Sequence, residues 1–300
     1  MKKIIIGFIC ILVLWLLADR IGGWIMWQVN QHSRDMVSPT IRHLANEADE
    51  DIILLGTSRC NGHYVPSIIR DSLNMSVFNG GVDGSHDIYA HYICLNLLLA
   101  HHSPKIICLE LSDGDFKTEE DPFYSVSYFA PYFGQNLDAD SVFTLSGKSN
   151  LYRLSHLYRY NAKAISNITG LVKRRWDQAE NGYIPIAQAP HFPDTLLAHA
   201  PVVQIDSCKC AYIEKFIHRC QDHNIQLIFT ISPYYTLVDS NHYKILKDIA
   251  SRHQISLLDY HSSGLFHDHP EYFHDEQHLW DSSARIFSAI FAEDLKQLCY

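Results

Sequence analysis

This sequence has no surplus of basic residues, no internal repeat and no low-complexity tract. Its 24 Lys and Arg stand against 33 Asp and Glu, a formal charge of −9, and no long basic stripe interrupts the pattern. Such a surface repels a phosphate backbone, which excludes nucleic acid as a partner. The local exception, "KRRW" at Lys173–Trp176, has the length of a solvated helix end. Without repeats, the 47% hydrophobic content of 300 residues has to fill a globular core. One domain carrying an insertion accounts for that length better than two domains. Cysteine offers no disulfide framework either. Of eight, Cys10 lies in the first apolar run, leaving an odd number, and Cys108 sits inside "KIICLEL" as a core residue. Cys208, Cys210 and Cys220 are close enough in sequence to include one disulfide, whose pairing the spacing does not define.

What is present begins at the N-terminus. "MKK" precedes the uncharged run Ile4–Ala18, and after Asp19 and Arg20 the segment "IGGWIMW" continues apolar to Trp27. A positive flank before an apolar run directs export with the N-terminus inside. The run is short against the ~20 residues a spanning helix needs, and the second piece extends it, with Trp24 and Trp27 at the interface. No small-x-small cleavage site follows. The reading is an uncleaved signal anchor over residues 1–27, ahead of a cleaved signal peptide or a buried helix. Residues 28–48 are a juxtamembrane segment, and the bulk of the chain lies outside the cytoplasm, periplasmic or at the cell surface.

From residue 49 to 300 short apolar runs alternate with helical spacings. "DIILLG", "MSVFNGG", "PKIICLEL", "NIQLIFTISP" and "QISLLDY" read as five buried strands. Between them lie helices near residues 65–73, 86–100, 211–223 and 241–253, and a final helix opens near Asp281 with Ile286, Phe287, Ile290, Phe291 and Leu295 on one face. Alternation of this kind predicts an α/β fold with a five-stranded parallel sheet. Residues 117–203 break the rhythm. They are rich in Tyr and Phe, include an expected long helix over 150–176, and form an insertion that serves as a lid, a substrate platform or a packing extension.

Ligands of open parallel sheets bind beyond the carboxyl ends of the strands. There the chain places "GTSRCNGHY" with Ser58, "NGGVDGSHD" with Asn79 and Gly84, "SDGDF", "SPYY", and the acidic, histidine-rich "FHDHPEYFHDEQHLWD" of residues 266–281. Acyl transfer needs a serine in a sharp turn, a neutral histidine to take its proton, a carboxylate to orient that histidine, and N–H donors for the oxyanion. Asp-x-x-His occurs at Asp83/His86, Asp239/His242 and Asp275/His278. Only the last lies in a loop between the final strand and the final helix, so Asp275 and His278 are the expected partners of Ser58. His267, His269 and His274, with Asp268 or Glu271, have metal-ligand chemistry but no framing helical spacing, and read as loop histidines.

"LLGTSR", "NGGVDG" and "DEQHLW", in this order, resemble blocks one, two and five of the SGNH (GDSL-type) hydrolase superfamily. The resemblance spans roughly residues 50–115 and 225–297 and implies a three-layer flavodoxin-like sandwich with ester hydrolysis or acyl transfer. It implies Ser58 as nucleophile, His278 as base, Asp275 as its orienting carboxylate, and the Ser58 and Gly84 amides as oxyanion donors, with no cofactor. The anchor resembles membrane-bound glycan O-acetylation and D-alanine-transfer proteins. The block-three asparagine is missing, which removes a donor worth about a hundredfold in rate. Asn79 is a candidate substitute or a turn cap. Arg59, His63 and Asp115 are expected near the cleft, Arg59 either binding an anionic substrate or pairing with an acid such as Asp83 or Asp115. The expected activity is that of an extracytoplasmic serine esterase or O-acyltransferase on acyl esters of a cell-surface glycan. A catalytically degenerate module that binds a glycan or a membrane acyltransferase partner is the alternative, and a metal-dependent hydrolase the more distant one.

Overall fold

The computed structural model describes residues 1–186, 204–235, 243–267 and 269–299. In chain order the elements are α1 (Lys2–His32), α2 (Ser38–Asn46), β1 (Ile52–Gly56), α3 (Ser58–His63), α4 (Pro66–Leu73), β2 (Val77–Gly81), α5 (Ile88–Leu99) and β3 (Ile106–Glu110). After β3 come α6 (Leu137–Leu145), α7 (Ser149–Leu154), α8 (Ala164–Lys173), α9 (Ser207–Asp222), β4 (Gln226–Ile231), α10 (Lys244–His253), β5 (Ser256–Asp259) and α11 (Asp281–Cys299). The five strands form one parallel sheet in the order β2-β1-β3-β4-β5. The order reverses between β1 and β3, and that reversal opens a crevice at the carboxyl edge.

Period-two alternation sorts the strand residues between the two faces. Ile53, Leu55, Ile107, Leu109, Phe229 and Ile231 pack with α2, α5, α9 and α10. Ile52, Leu54, Ile106, Cys108 and Ile228 pack with α4 and α11. Burial on both faces is why the strands read as continuous apolar runs. On α11, Phe287, Phe291, Ala284 and Leu295 are fully buried, and Phe287 meets Tyr64, Tyr260 and Phe266 edge-on. Each such phenylalanine contributes about 2–3 kcal/mol of burial, and Phe287 also meets His63 of α3 edge-on, so Phe287→Ala removes packing beneath that helix.

The structure refines the sequence reading outside the sheet. The helix expected over 150–176 is broken into α7, a short 3-10 turn at Leu157–Tyr160, α8 and a second 3-10 turn at Arg175–Gln178. Arg174 breaks the run by taking a left-handed conformation, with φ 44°. Residues 28–48 are built into the fold. α1 continues as one helix to His32, and α2 follows with Ile41 and Leu44 in the core. The cysteines are all free thiols: Cys220 faces the core from α9 while Cys208 is exposed. The insertion aromatics Phe129, Tyr132, Phe133, Phe143 and Tyr152 are buried, with Phe133, Phe143 and Tyr152 in mutual contact, so these rings serve as core.

α1 is the one helix among the described residues long and apolar enough to cross a membrane. Its first half is exposed along its length, while Asp19, Gly23 and Asn30 are buried against the rest of the chain.

Candidate active site

Ser58 is the first residue of α3. Thr57, extended at the carboxyl end of β1, caps that helix through its side chain, which accepts from the Arg59 N–H at 3.4 Å. The second glycine of "NGG" lets α3 lie against β2. A Cβ on Gly81 would fall 2.4 Å from the Asn61 nitrogen. The turn is then tied to the sheet by Asn79. Its amide donates to the carbonyls of Cys60 (2.7 Å) and Tyr64 (2.8 Å), and its Oδ1 accepts the Gly81 N–H at 3.0 Å. Both amide hydrogens are therefore occupied and the side chain is buried, so of the two roles open to Asn79 in the sequence, donor or turn cap, it takes that of a brace.

His278 sits on a tight loop between β5 and α11. The His274 N–H donates to the His278 carbonyl at 2.7 Å, Phe273 and Leu279 form an antiparallel bridge, and both of those side chains are fully buried. The loop is anchored to the core on either side of the histidine. His278 Nε2 lies 2.9 Å from Ser58 Oγ, and its Nδ1 lies 2.9 Å from both oxygens of Asp275. The backbone N–H groups of Gln277 and His278 also donate to Asp275 Oδ1, at 2.8 and 2.9 Å. Partial burial raises the Asp275 carboxyl, and the bonds from His278 and the two amides outweigh it, holding the group at about 2. With Nδ1–H given to the carboxylate, Nε2 is left as an acceptor for the Ser58 hydroxyl proton. The arrangement can deprotonate Ser58 as it attacks a carbonyl and stabilise the resulting imidazolium.

These three residues line a cavity of about 460 Å3 whose other walls come from distant parts of the chain. Met36 comes from the stretch after α1, Asn61 and Gly62 from α3, and Asp83 from the turn after β2. Gln178 and the run Ile184–Ile186 come from the insertion, and His274 from the loop before α11. The insertion wall is held by Asn61, whose side-chain amide donates to the Gly182 carbonyl at 2.8 Å while its main-chain carbonyl accepts the Ile184 N–H at 3.1 Å. Gly182 lies so close to β2 (φ 91°) that a Cβ there would sit 1.8 Å from the Asn79 carbonyl oxygen. This wall was not recognised from sequence. Its one local signal is "NGY" followed by Pro185, a turn that ends the insertion and returns the chain to the sheet edge.

Gly84 has φ 77° and Tyr128 packs over it; its neighbour Asp83, and not Gly84, lines the cavity. Among the described residues, the backbone N–H groups of Ser58 and Gly84 have no protein acceptor.

Arg59, His63 and Asp115 are corrected from cleft residues to buried ones. Arg59 pairs with Glu110 (2.7 Å), not with Asp83 or Asp115, and its guanidinium stacks 3.8 Å over Tyr234. Burial lowers the guanidinium, but the Glu110 carboxylate raises it further, so it stays charged; burial pushes Glu110 up against that pull. Asp115 bonds His91 at 2.9 Å and both the amide and hydroxyl of Ser112. His63 accepts the Leu279 N–H at Nε2 (3.0 Å) and meets the His278 ring edge-on. Burial, then the neighbouring His278, holds it well below the usual histidine range. A neutral His63 thus fixes the backbone one residue after His278, a positioning role that its place in the sequence did not indicate.

The other histidines of the loop are separately engaged. His269 pairs with Glu271 at 2.9 Å and stacks on Tyr272, and His274 meets Trp280 edge-on. Among the described residues no three His, Cys, Asp or Glu side chains converge on a point. Asp268, Asp239 and His242 lie outside the described residues.

No family model matches this chain, and no curated protein matches it.

Proposed function

We propose that this protein is an SGNH-like serine esterase or O-acyltransferase, held at a membrane by α1 with its catalytic domain outside the cytoplasm. It acts on acyl esters of a cell-surface glycan. The observation that carries the reading is the continuous chain Ser58 Oγ–His278 Nε2 (2.9 Å) and His278 Nδ1–Asp275 (2.9 Å) inside a cavity at the carboxyl edge of the sheet. The strand order β2-β1-β3-β4-β5 supports the flavodoxin-like arrangement of that superfamily. Ser58 attacks the acyl carbonyl while His278 takes its proton. The Ser58 and Gly84 amides serve as oxyanion donors, and water or a sugar hydroxyl resolves the acyl-enzyme. Among the described residues the lining has Asp83 and Asp275 and no Lys or Arg, which suits an uncharged ester better than an anionic one.

One observation favours a second reading, a binding module without chemistry. The side-chain amides nearest the turn, Asn79 and Asn61, are both occupied internally, so the oxyanion would rest on backbone donors alone. A fluorophosphonate probe on the full chain separates the two. Labelling that disappears in Ser58→Ala is expected; a wild-type protein that does not label rules out the serine chemistry and leaves the binding module.

A further inference from the structure

We infer that the middle of the insertion is a membrane-seating foot: residues 151–158, most of α7 and the turn after it, rest in the lipid interface of the bilayer that α1 enters. The inference rests on α1 entering that bilayer and is independent of the serine chemistry.

The starting point is a length deficit. The uncharged run Ile4–Ala18 rises about 22 Å as a helix, against a hydrocarbon core of roughly 30 Å. The deficit of about 8 Å is roughly five further residues, which takes the lipid boundary to the level of Asp19–Trp24. Ile21, Trp24 and Ile25 are 58%, 62% and 48% exposed there, as side chains facing lipid would be. A carboxylate at that depth needs partners, and Asp19 has them. It is buried, and it accepts from the Ser155 hydroxyl and from the N–H groups of His156 (2.9 Å) and Leu157 (3.3 Å). Arg20 donates to the Leu154 carbonyl at 3.2 Å. The turn 154–157 is therefore clamped to α1 at the boundary, and Gly23 permits the approach, since a Cβ there would meet His156 Cβ at 2.5 Å.

The clamped segment has the chemistry of an interfacial element. Leu151, Leu154 and Leu157 are 46%, 56% and 46% exposed, an apolar row about half open to the surroundings among the described residues. The row is continuous with α1: a cavity of about 550 Å3 is lined by Trp15 and Ala18, from the apolar run, and by Leu157 and Tyr158. Arg153 is exposed within the row. Residues 141–176 contain seven Lys or Arg and no Asp or Glu, in a chain whose net charge is −9. Leucines beside basic residues, at the depth where a helix leaves the hydrocarbon, are the combination that binds an anionic lipid surface.

The test uses the full chain in vesicles carrying a photoreactive phospholipid, with adducts mapped by mass spectrometry. Adducts are expected on Ile4–Ala18 and, in comparable yield, on residues 151–158. Leu154→Asp combined with Leu157→Asp lowers the second set at least tenfold and leaves the α1 adducts and fluorophosphonate labelling of Ser58 unchanged. Adding phosphatidylglycerol to phosphatidylcholine vesicles raises the 151–158 yield several-fold. Adducts confined to α1, or residues 151–158 cross-linking to a protein in place of lipid, overturn the inference. Absence of adducts on α1 itself overturns the anchor on which it rests.

Discussion

Replacing Asp275 by Asn is the sharpest probe of the site, because it alters one proton and almost no volume. Asp275 Oδ1 accepts from the backbone N–H groups of Gln277 and His278, a role only an oxygen can fill. The new carboxamide must therefore keep its oxygen at Oδ1 and put its NH2 where Oδ2 stood, 2.9 Å from His278 Nδ1. There it donates, Nδ1 becomes an acceptor, and the ring proton moves to Nε2, facing Ser58 Oγ. The ring geometry survives while its ability to take the serine proton is lost. In a fully buried site this tautomer reversal costs about 10⁴-fold. The Asp275 side chain is 47% exposed, so water competes for Nδ1 and the loss should be nearer 10³-fold, about 4 kcal/mol in the barrier. The assay is the second-order rate of fluorophosphonate labelling of Ser58, with thermal unfolding measured alongside. Both backbone bonds are retained, so the melting temperature should hold. A labelling rate within tenfold of wild type, at unchanged stability, would refute the assignment of His278 as base and Asp275 as its orienting group.

Further consequences can be measured on the same protein. Gly182→Ala puts a Cβ 1.8 Å from the Asn79 carbonyl at a φ of 91°; a loss of about 2 kcal/mol or more in urea unfolding is expected, together with altered probe kinetics as the Ile184–Ile186 wall shifts. His91→Leu leaves Asp115 buried without its cation and should cost about 3–5 kcal/mol. The same pair shapes stability against pH. Burial lowers His91, but Asp115 raises it above its ordinary 6.5, so its contribution is complete below 6.5 and is lost as pH rises through the raised value. Burial raises Asp115, but His91 brings it below its ordinary 3.8, so its contribution holds above 3.8 and is lost as pH falls through the lowered value. Urea unfolding across pH should show a plateau between those limits, and its alkaline decline should disappear in His91→Leu. Gly23→Ala should push the 155–157 turn off α1, read as faster trypsin cleavage at Arg153 and Arg159 in vesicles.

All five strands were legible in the sequence because strands buried on both faces leave uninterrupted apolar runs; α4, α5, α9, α10 and α11 were legible from helical spacing, although α5 is buried on every side, and α2 and α3 were not. The meeting of Ser58 with His278 and Asp275 was legible for a topological reason: parallel strands bring every strand-to-helix turn to one edge, so residues more than 200 positions apart become neighbours by chain order alone. The supporting polar residues were not legible. Arg59 and Asp115 follow strands just as Ser58 does, and sequence does not tell whether a side chain there turns into the crevice or beneath the sheet edge. Packing decided it: Glu110 drew Arg59 inward, and His91 did the same for Asp115. Asn79 was open to either role, donor or turn cap, and became a brace because α3 brought the Cys60 and Tyr64 carbonyls within its reach. The cavity walls from Met36, Gln178 and Ile184–Ile186, and the clamp of Asp19 on residues 155–157, join segments with no pattern in common. Local periodicity determines elements and the faces they bury; which polar groups meet across those faces depends on side-chain directions that exist only once the layers have packed.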